Sequence, residues 1–256
     1  MGNFIKLENF SKLLPYVDMF KEGLIVTVLL AFFTVIIGFV LALVLALMRM
    51  SNFHPFGFLG LTKDGHLRDG GFLYHLSRFN PVSFLATAYV EIIRSTPVVV
   101  QVFIIYYGPG TLLKVASDTT MNRMFWGMVA VGLNSAAYMS EVIRSGIGAV
   151  PGGQMEAARS LGMSHWKAMQ HVVLPQAVRN ILPAMCNEFV TIIKETSILG
   201  MVGVTELMFN AQSIAKQTYV FLEPYVLAAA MYFVVVFTLS KAISALERRM
   251  RKSVTR

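Results

Sequence analysis

The chain alternates long apolar stretches with short polar ones. The longest apolar stretch runs from Leu24 to Met48, 25 residues without a charge. Because about 20 apolar residues span the hydrocarbon core of a bilayer, this stretch predicts a transmembrane helix. Four further stretches have the length of a span, namely residues 81–107, 124–143, 181–204 and 224–246. The pattern therefore predicts an all-α membrane protein with five transmembrane helices.

The segments outside the spans divide the chain into three parts. Residues 1–22 mix charged and apolar positions in the manner of an amphipathic helix interrupted near Pro15, and we expect them to lie on the membrane surface. Residues 23–248 form a single transmembrane domain. Residues 249–256 form a basic tail.

Lys and Arg residues are distributed unevenly among the connecting segments. If the C-terminus is cytoplasmic, fourteen of them fall in residues 49–81, 144–180 and 241–256, and six fall in the segments on the other side. Because positively charged loops stay in the cytoplasm, this bias places the N-terminus outside and the C-terminus inside. We expect a multi-pass protein of the bacterial inner membrane.

Composition and charge narrow the function further. Only 14% of residues are charged, against about 25% in soluble domains. The net charge is +8, but no Lys/Arg motif interleaved with aromatic residues is present, so we expect no nucleic-acid partner. No constellation of catalytic residues or nucleotide-binding loop is found, so an integral-membrane enzyme is disfavoured. Cys186 is expected to pack in an apolar environment.

Residues 49–80 form an atypically long cytoplasmic connection. The three histidines in it, His54, His66 and His75, match no metal-ligand spacing, and we expect no metal site. A plain loop or a short interfacial helix is the prediction, and the role of residues 52–80 stays open.

The cytoplasmic connection 151–180, between spans three and four, has an ordered pattern. Helix formers follow Pro151, Gly162 can end that helix in a left-handed conformation, and Ser164 can cap a second helix that is interrupted at Pro175. Two short helices with a glycine corner predict a rigid elbow. An amphipathic connector resting on lipid headgroups is the alternative from composition alone.

Residues of this elbow resemble a known signature. Glu156-Ala157-Ala158, three residues, Gly162, nine residues, then Val172 and Leu174-Pro175 resemble the EAA motif of ABC importer permeases. Three stretches in the spans resemble the polar amino-acid branch of that family: Arg94-Ser95-Thr96-Pro97, Asn134-Ser135-Ala136-Ala137-Tyr138 and Lys194-Glu195-Thr196-Ser197. Ser95 stands where the family has glycine, and the connection 52–80 is longer than usual.

The resemblance implies a transporter subunit rather than an enzyme. Its EAA elbow, Glu156, Ala157, Ala158, Gly162, Leu174 and Pro175, is expected to couple the chain to a cytoplasmic ABC ATPase dimer that binds ATP and Mg, so this chain needs no cofactor. The other implied partners are a second permease copy or a homologous permease, an extracytoplasmic amino-acid-binding protein and membrane lipid. The expected mechanism is alternating access.

Charged and polar residues inside the spans are the candidates for substrate contact, because burying them is costly unless they pair or line a path. Glu91 with Arg94, and Glu141 with Arg144, can form pairs on one helix face. Glu188 has no basic residue three or four positions away and is the candidate for holding a substrate ammonium, with a structural hydrogen-bond role as the alternative. Uncharged candidates are Thr191, Asn134, Tyr138, Gln101 and Thr96.

The function predicted from these observations is amino-acid import as an ABC permease. Another small polar solute is the alternative, and an ion channel or an integral-membrane enzyme is a more distant one. The sequence names neither the amino acid nor the choice between homodimer and heterodimer.

Overall fold

The computed structural model describes residues 7–60, 71–113 and 119–252, and within these ranges the chain is helical with no β-strand. The helices are α1 (Leu7–Ser11), α2 (Val17–Arg49), α3 (Phe72–Ser77), α4 (Pro81–Arg94), α5 (Val98–Leu113), α6 (Thr120–Gly148), α7 (Gly152–Ser160), α8 (His165–Ala168), α9 (Leu174–Glu195), α10 (Leu207–Thr218) and α11 (Glu223–Lys252). Short 3₁₀ segments lie at Leu14–Tyr16, Gly57–Gly60 and Thr196–Val202, and a π turn at Met169–Val173.

Helix α2, which contains the predicted span 24–48, packs along α6. Its buried positions are mostly small and recur every three or four residues: Thr27, Ala31, Thr34, Gly38, Ala42 and Ala46. A Cβ on Gly38 would lie 3.3 Å from the carbonyl oxygen of Gly132, so the two backbones are close. Small residues allow this approach, which supplies packing energy where lipid removes the hydrophobic driving force.

Helix α6, which contains the predicted span 124–143, is the most enclosed helix of the bundle and packs against α2, α4, α5 and α9. Among the described residues, only α2, with the short turn before it, and α11 are by themselves long and apolar enough to cross a membrane. Helix α6 is long enough but not apolar enough, because its side chains include Asn134, Ser135 and Ser140. These polar residues are buried against protein rather than exposed to lipid.

The second and fourth predicted spans are not single straight helices. Helices α4 and α5 meet at 111° across the break at residues 95–97, where the sequence predicted one span, 81–107. Pro97 explains the break, because its ring nitrogen donates no hydrogen bond. The helix that contains most of the predicted span 181–204 ends in the 3₁₀ segment and continues into α10 at 48°. The number of spans in described helices rises to four if each bent pair is one span.

Part of the apolar face of the N-terminal segment packs on protein, and its location at the membrane surface stays a prediction. Leu13 and Phe20 are fully buried in a cluster with residues of α10 and α11. The side-chain amide of Asn9 also donates to Glu223 Oε1 at 2.9 Å. Helix α2 begins at residue 17, so part of the predicted segment 1–22 belongs to the first long helix.

An ionic contact among three residues holds the C-terminal ends of α2 and α6 together. Arg49 at the end of α2 and Arg144 near the end of α6 both bind the carboxylate of Glu141. The predicted Glu141–Arg144 pair is therefore confirmed and gains a second arginine. This contact places the connection that follows α2 at the same end of the molecule as α7.

Candidate functional site

The elbow between α6 and α9 is built around Gly162. This residue has φ +84°, the left-handed conformation that the sequence predicted. The amide of Gly162 donates to Arg159 O at 3.0 Å, and the amide of Met163 donates to Ala158 O at 3.2 Å. These two bonds form a Schellman motif, which satisfies the last carbonyl groups of α7 and turns the chain sharply.

Ser164 caps the next helix, as predicted, because its hydroxyl accepts from the amide of Lys167 at 3.3 Å. The prediction that this helix stops at Pro175 was wrong. The helix continues through the π turn into α9, with Pro175 in the first turn of α9. The wide π turn changes the hydrogen-bond register before Pro175, whose nitrogen has no hydrogen to donate. The elbow is therefore one short helix joined rigidly to a long one.

The EAA residues divide by exposure. Ala158 is buried, while Glu156, Ala157 and Gly162 are exposed. Leu174 is half-buried and Pro175 is exposed at the base of α9.

Two large apolar side chains beside Gly162 were not predicted from the sequence to belong to the site. Leu161 is 85% exposed and Trp166 is 69% exposed. The available signal was a Leu and a Trp flanking a predicted turn, where polar residues are usual. These side chains give the elbow an apolar, protruding surface of the kind that marks a protein contact.

The elbow is tied to the bundle by close contacts. The side-chain amide of Gln176 donates to Gln154 Oε1 at 3.2 Å and so links α9 to α7. A Cβ on Gly146 would lie 2.3 Å from Ile181 Cγ1, so α6 and α9 touch without room for a side chain. Helix α7 is therefore linked to α9 by a hydrogen bond, and α9 is packed closely against α6.

Three of the predicted substrate residues meet in one network at the α4–α5 break. The amide nitrogen of Gln101 donates to Ile93 O at 2.7 Å, to Thr96 O at 3.0 Å and to the Thr96 hydroxyl at 2.8 Å. The amide of Asn134 donates to Gln101 Oε1 at 2.9 Å. Gln101 and Asn134 are buried; Gln101 satisfies backbone carbonyl groups beside the break, and Asn134 holds the Gln101 side chain.

The remaining candidates lie on α6 and α9. Glu188 Oε1 accepts from the Ser135 hydroxyl at 3.0 Å, and the Thr191 hydroxyl donates to Asn187 O in its own helix at 3.2 Å. Tyr138 is 40% exposed. Tyr138 follows Ser135 by three residues, so the two lie on one face of α6.

The predicted Glu91–Arg94 pair does not form. Arg94 instead places its guanidinium carbon 5.6 Å from the centroid of the Tyr138 ring, a cation–π contact. Arg94 is exposed, and its charge therefore stands beside the same turn of α6 that Glu188 reaches from α9.

Sequence comparison relates the chain to known permeases. A family model for the inner membrane component of binding-protein-dependent transport systems matches residues 70–252. The arginine transport system permease ArtQ of Bacillus subtilis is 35% identical over 96% of this chain and 98% of that protein. The nopaline transport system permease NocM of Agrobacterium fabrum is 37% identical over 94% of this chain and 88% of that protein.

Solved structures show the same fold. A crystal structure of an amino acid ABC transporter with histidines has a TM-score of 0.78 at 39% identity and covers 94% of this chain and 98% of its own. An inward-facing methionine ABC transporter, MetNI, is 18% identical with a TM-score of 0.66 and covers 92% of this chain and 98% of its own, which shows the fold alone. This chain therefore belongs to the family of binding-protein-dependent transport system inner membrane components and is the permease subunit of an ABC importer, not an enzyme.

Proposed function

We propose that this permease imports amino acids across the bacterial inner membrane by alternating access. The observation that carries the substrate class is the placement of opposite charges along one face of α6, with Arg94 against Tyr138 and Glu188 against Ser135, three residues earlier. The relatives support the same class, because those described above carry names of arginine and nopaline transporters.

The charges suit a zwitterion. Ser135 and Tyr138 are three residues apart, which is about 4.5 Å along a helix axis. A guanidinium pairs well with a carboxylate through parallel N–H donors, and Glu188 offers its second carboxylate oxygen to an ammonium group. A free amino acid carries both groups on one carbon atom, so both charges can be met at neighbouring points of one site.

The other candidates then take distinct roles. Tyr138 and Thr191 offer hydroxyl groups on the α6 and α9 faces next to the charges. Thr96, Gln101 and Asn134 are proposed to act indirectly, since their polar groups hold the α4–α5 break in shape and thereby position Arg94.

The elbow is proposed as the point of ATPase docking. A permease of a binding-protein-dependent importer works with an ATPase subunit and a substrate-binding protein. We assign the ATPase contact to Glu156, Ala157, Ala158, Gly162, Leu174 and Pro175, and add Leu161 and Trp166 for their exposure. ATP and Mg are then bound by the partner.

The full assembly follows from this assignment. Five spans, with the N-terminus outside and the C-terminus in the cytoplasm, place α7 on the cytoplasmic side. Two permeases, as copies or homologues, enclose the path, and closure of the ATPase dimer moves the elbows and with them α6 and α9. An extracytoplasmic amino-acid-binding protein delivers the substrate.

The test is reconstitution of the permease in proteoliposomes with its cognate ATPase and binding protein, followed by a screen of amino acids for stimulated ATP hydrolysis. We expect stimulation by amino acids and matching uptake of the labelled compound. Stimulation by another class of small polar solute and by no amino acid would refute the substrate assignment while leaving the permease role intact.

The role of Glu188 is tested separately by Glu188→Gln, which keeps the hydrogen-bond acceptor for Ser135 and removes the charge. We expect uptake of cationic amino acids to fall more than assembly with the ATPase does. Glu22→Gln, at an exposed carboxylate near the start of α2, is the matched control and should behave as wild type. Unchanged uptake by Glu188→Gln would remove Glu188 from the site.

A further inference from the structure

We propose that the described parts of the connection between α2 and α4, residues 51–60 and 71–80, form a membrane-surface foot whose phenylalanines enter the cytoplasmic leaflet and whose Arg78 binds phospholipid phosphate. The cytoplasmic assignment rests on the proposed function.

The base of the connection is fixed at the cytoplasmic end of the bundle. The side-chain amide of Asn80 donates to Ser51 O at 2.6 Å, and the Ser83 hydroxyl donates to Arg49 O at 3.1 Å. Arg49 is held by Glu141 of α6, one turn before Arg144. The connection therefore leaves and re-enters the bundle at one point, level with the predicted membrane boundary of α2.

The described parts expose several large aromatic side chains. Phe53 is 55%, Phe58 is 71% and Phe72 is 79% exposed. No Asp or Glu occurs in residues 51–60 or 71–80. Exposed aromatic side chains are unfavourable in bulk water and favourable at a headgroup interface.

The exposed apolar surface continues without a gap into the membrane-spanning part. The rings of Phe79 and Phe84 lie 5.6 Å apart, centroid to centroid. Phe84 and Leu85, in the first turns of α4, are exposed as well. The proposed topology makes these residues the start of the second span, so we expect hydrocarbon to cover them and Phe79 to extend the same surface into the connection.

Arg78 is placed to bind a phosphate at this level. Its guanidinium carbon lies 5.2 Å from the centroid of the Tyr74 ring, and its Nη1 donates to the Tyr74 hydroxyl at 2.6 Å. These two contacts hold the guanidinium beside the Tyr74 ring, and within the described ranges its other N–H groups have no protein acceptor. A guanidinium so held suits bidentate binding of a phosphate group.

The ATPase subunit is the competing occupant, because the foot lies at the same end as α7. The exposed apolar surface of the foot is continuous with Phe84 and Leu85 of α4. This continuity favours lipid over protein as the occupant, because the foot adjoins the exposed face of α4 rather than the elbow. The experiment must therefore separate lipid contact from ATPase contact.

The test places a nitroxide spin label at Phe72→Cys, in a Cys186→Ala background that removes the chain's single cysteine. The reference label is at Leu161→Cys on the elbow. In nanodiscs without ATPase, we expect the Phe72 label to collide severalfold more with oxygen than with a water-soluble nickel chelate, and the Leu161 label to show the reverse. Equal access of the chelate to both labels would overturn the proposal.

Addition of the ATPase separates the two hypotheses. We expect it to immobilise the Leu161 label and to leave the Phe72 label unchanged. A Phe72 label that is protected only when the ATPase is bound would show a protein contact and overturn the lipid assignment. An unaffected Leu161 label would instead count against the proposed docking role of the elbow.

The phosphate contact is tested with spin-labelled phosphatidylglycerol. We expect Arg78→Gln to lower the motionally restricted fraction of this lipid severalfold relative to spin-labelled phosphatidylcholine. Arg159→Gln, which removes an exposed arginine on α7, should not. Equal lipid selectivity of the wild type and Arg78→Gln would remove Arg78 from the proposed contact.

Discussion

Replacement of Gly162 tests whether the conformation of the elbow, rather than its surface, transmits force. The residue has φ +84°, and a Cβ placed there would meet no atom within 4 Å. A substitution therefore costs backbone strain without a steric clash. For an ordinary L-residue the left-handed conformation costs about 1–2 kcal/mol.

The size of the expected effect follows from that cost. A penalty of about 1–2 kcal/mol shifts the equilibrium between the ordered and the open turn by roughly 5- to 30-fold. The amide of Met163, which donates to Ala158 O, should exchange with solvent faster by the same factor in Gly162→Ala. Coupling, measured as substrate transported per ATP hydrolysed, should fall in the same variant.

A graded series separates backbone strain from side-chain volume. Asn adopts the left-handed region more readily than Ala, and β-branched Val least readily. We therefore expect coupling to decrease in the order Gly162→Asn, Gly162→Ala, Gly162→Val. Gly153→Ala in α7 is the matched control, because its Cβ also meets no atom within 4 Å and its φ is ordinary.

Wild-type amide exchange at Met163 together with wild-type coupling in Gly162→Val would refute the role of backbone strain. An equal loss of coupling in Gly162→Asn and Gly162→Val would refute it as well. Normal amide exchange with lost coupling would instead locate the effect in the docking surface, because the turn would then be intact.

The remaining predictions concern the packing and the polar network of the bundle. Gly146→Ala should destabilise the protein by about 1–3 kcal/mol, because its Cβ would lie 2.3 Å from Ile181 Cγ1, and thermal unfolding in detergent should show this beside an unchanged Gly148→Ala. Gln101→Leu should lower the unfolding temperature, because it removes the acceptor of the buried Asn134 amide, at about 1–3 kcal/mol for a buried unsatisfied group, and the donor to the carbonyl oxygens of Ile93 and Thr96; a normal temperature would mean that the α4–α5 break needs no such support. Glu206→Ala should cost at least about 0.5–2 kcal/mol, because this buried carboxylate caps α10 through two amides and accepts the Tyr232 hydroxyl; unfolding measurements that show no change would refute this role.

Much of the elbow could be read from the sequence because its signals are local. A glycine in a left-handed turn and a serine cap act within four residues, so Gly162 and Ser164 were predicted correctly. The prediction for Pro175 was wrong, because whether a proline ends a helix depends on the hydrogen-bond register of the preceding turn. The π turn at Met169–Val173, which no local pattern marked, allows the helix to continue.

The polar residues of the spans could be found from the sequence but not paired. Gln101 and Asn134 are 33 positions apart, and their hydrogen bond exists because α5 packs on α6. Arg94 had an acid within reach on its own helix, yet it lies on Tyr138 of another. Such choices depend on which helices are neighbours, and sequence spacing carries no information on that.

By itself, the sequence determined that the chain is helical and crosses a membrane, since hydrocarbon admits only long apolar segments that satisfy their own backbone groups. It also determined the elbow and its glycine corner. Only the tertiary structure decided that the N-terminal segment packs on α10 and α11 and that the predicted second span consists of two helices at 111°. Only the tertiary structure placed Arg94 and Glu188 against the same turn of α6, because contacts between distant segments form only when the helices pack.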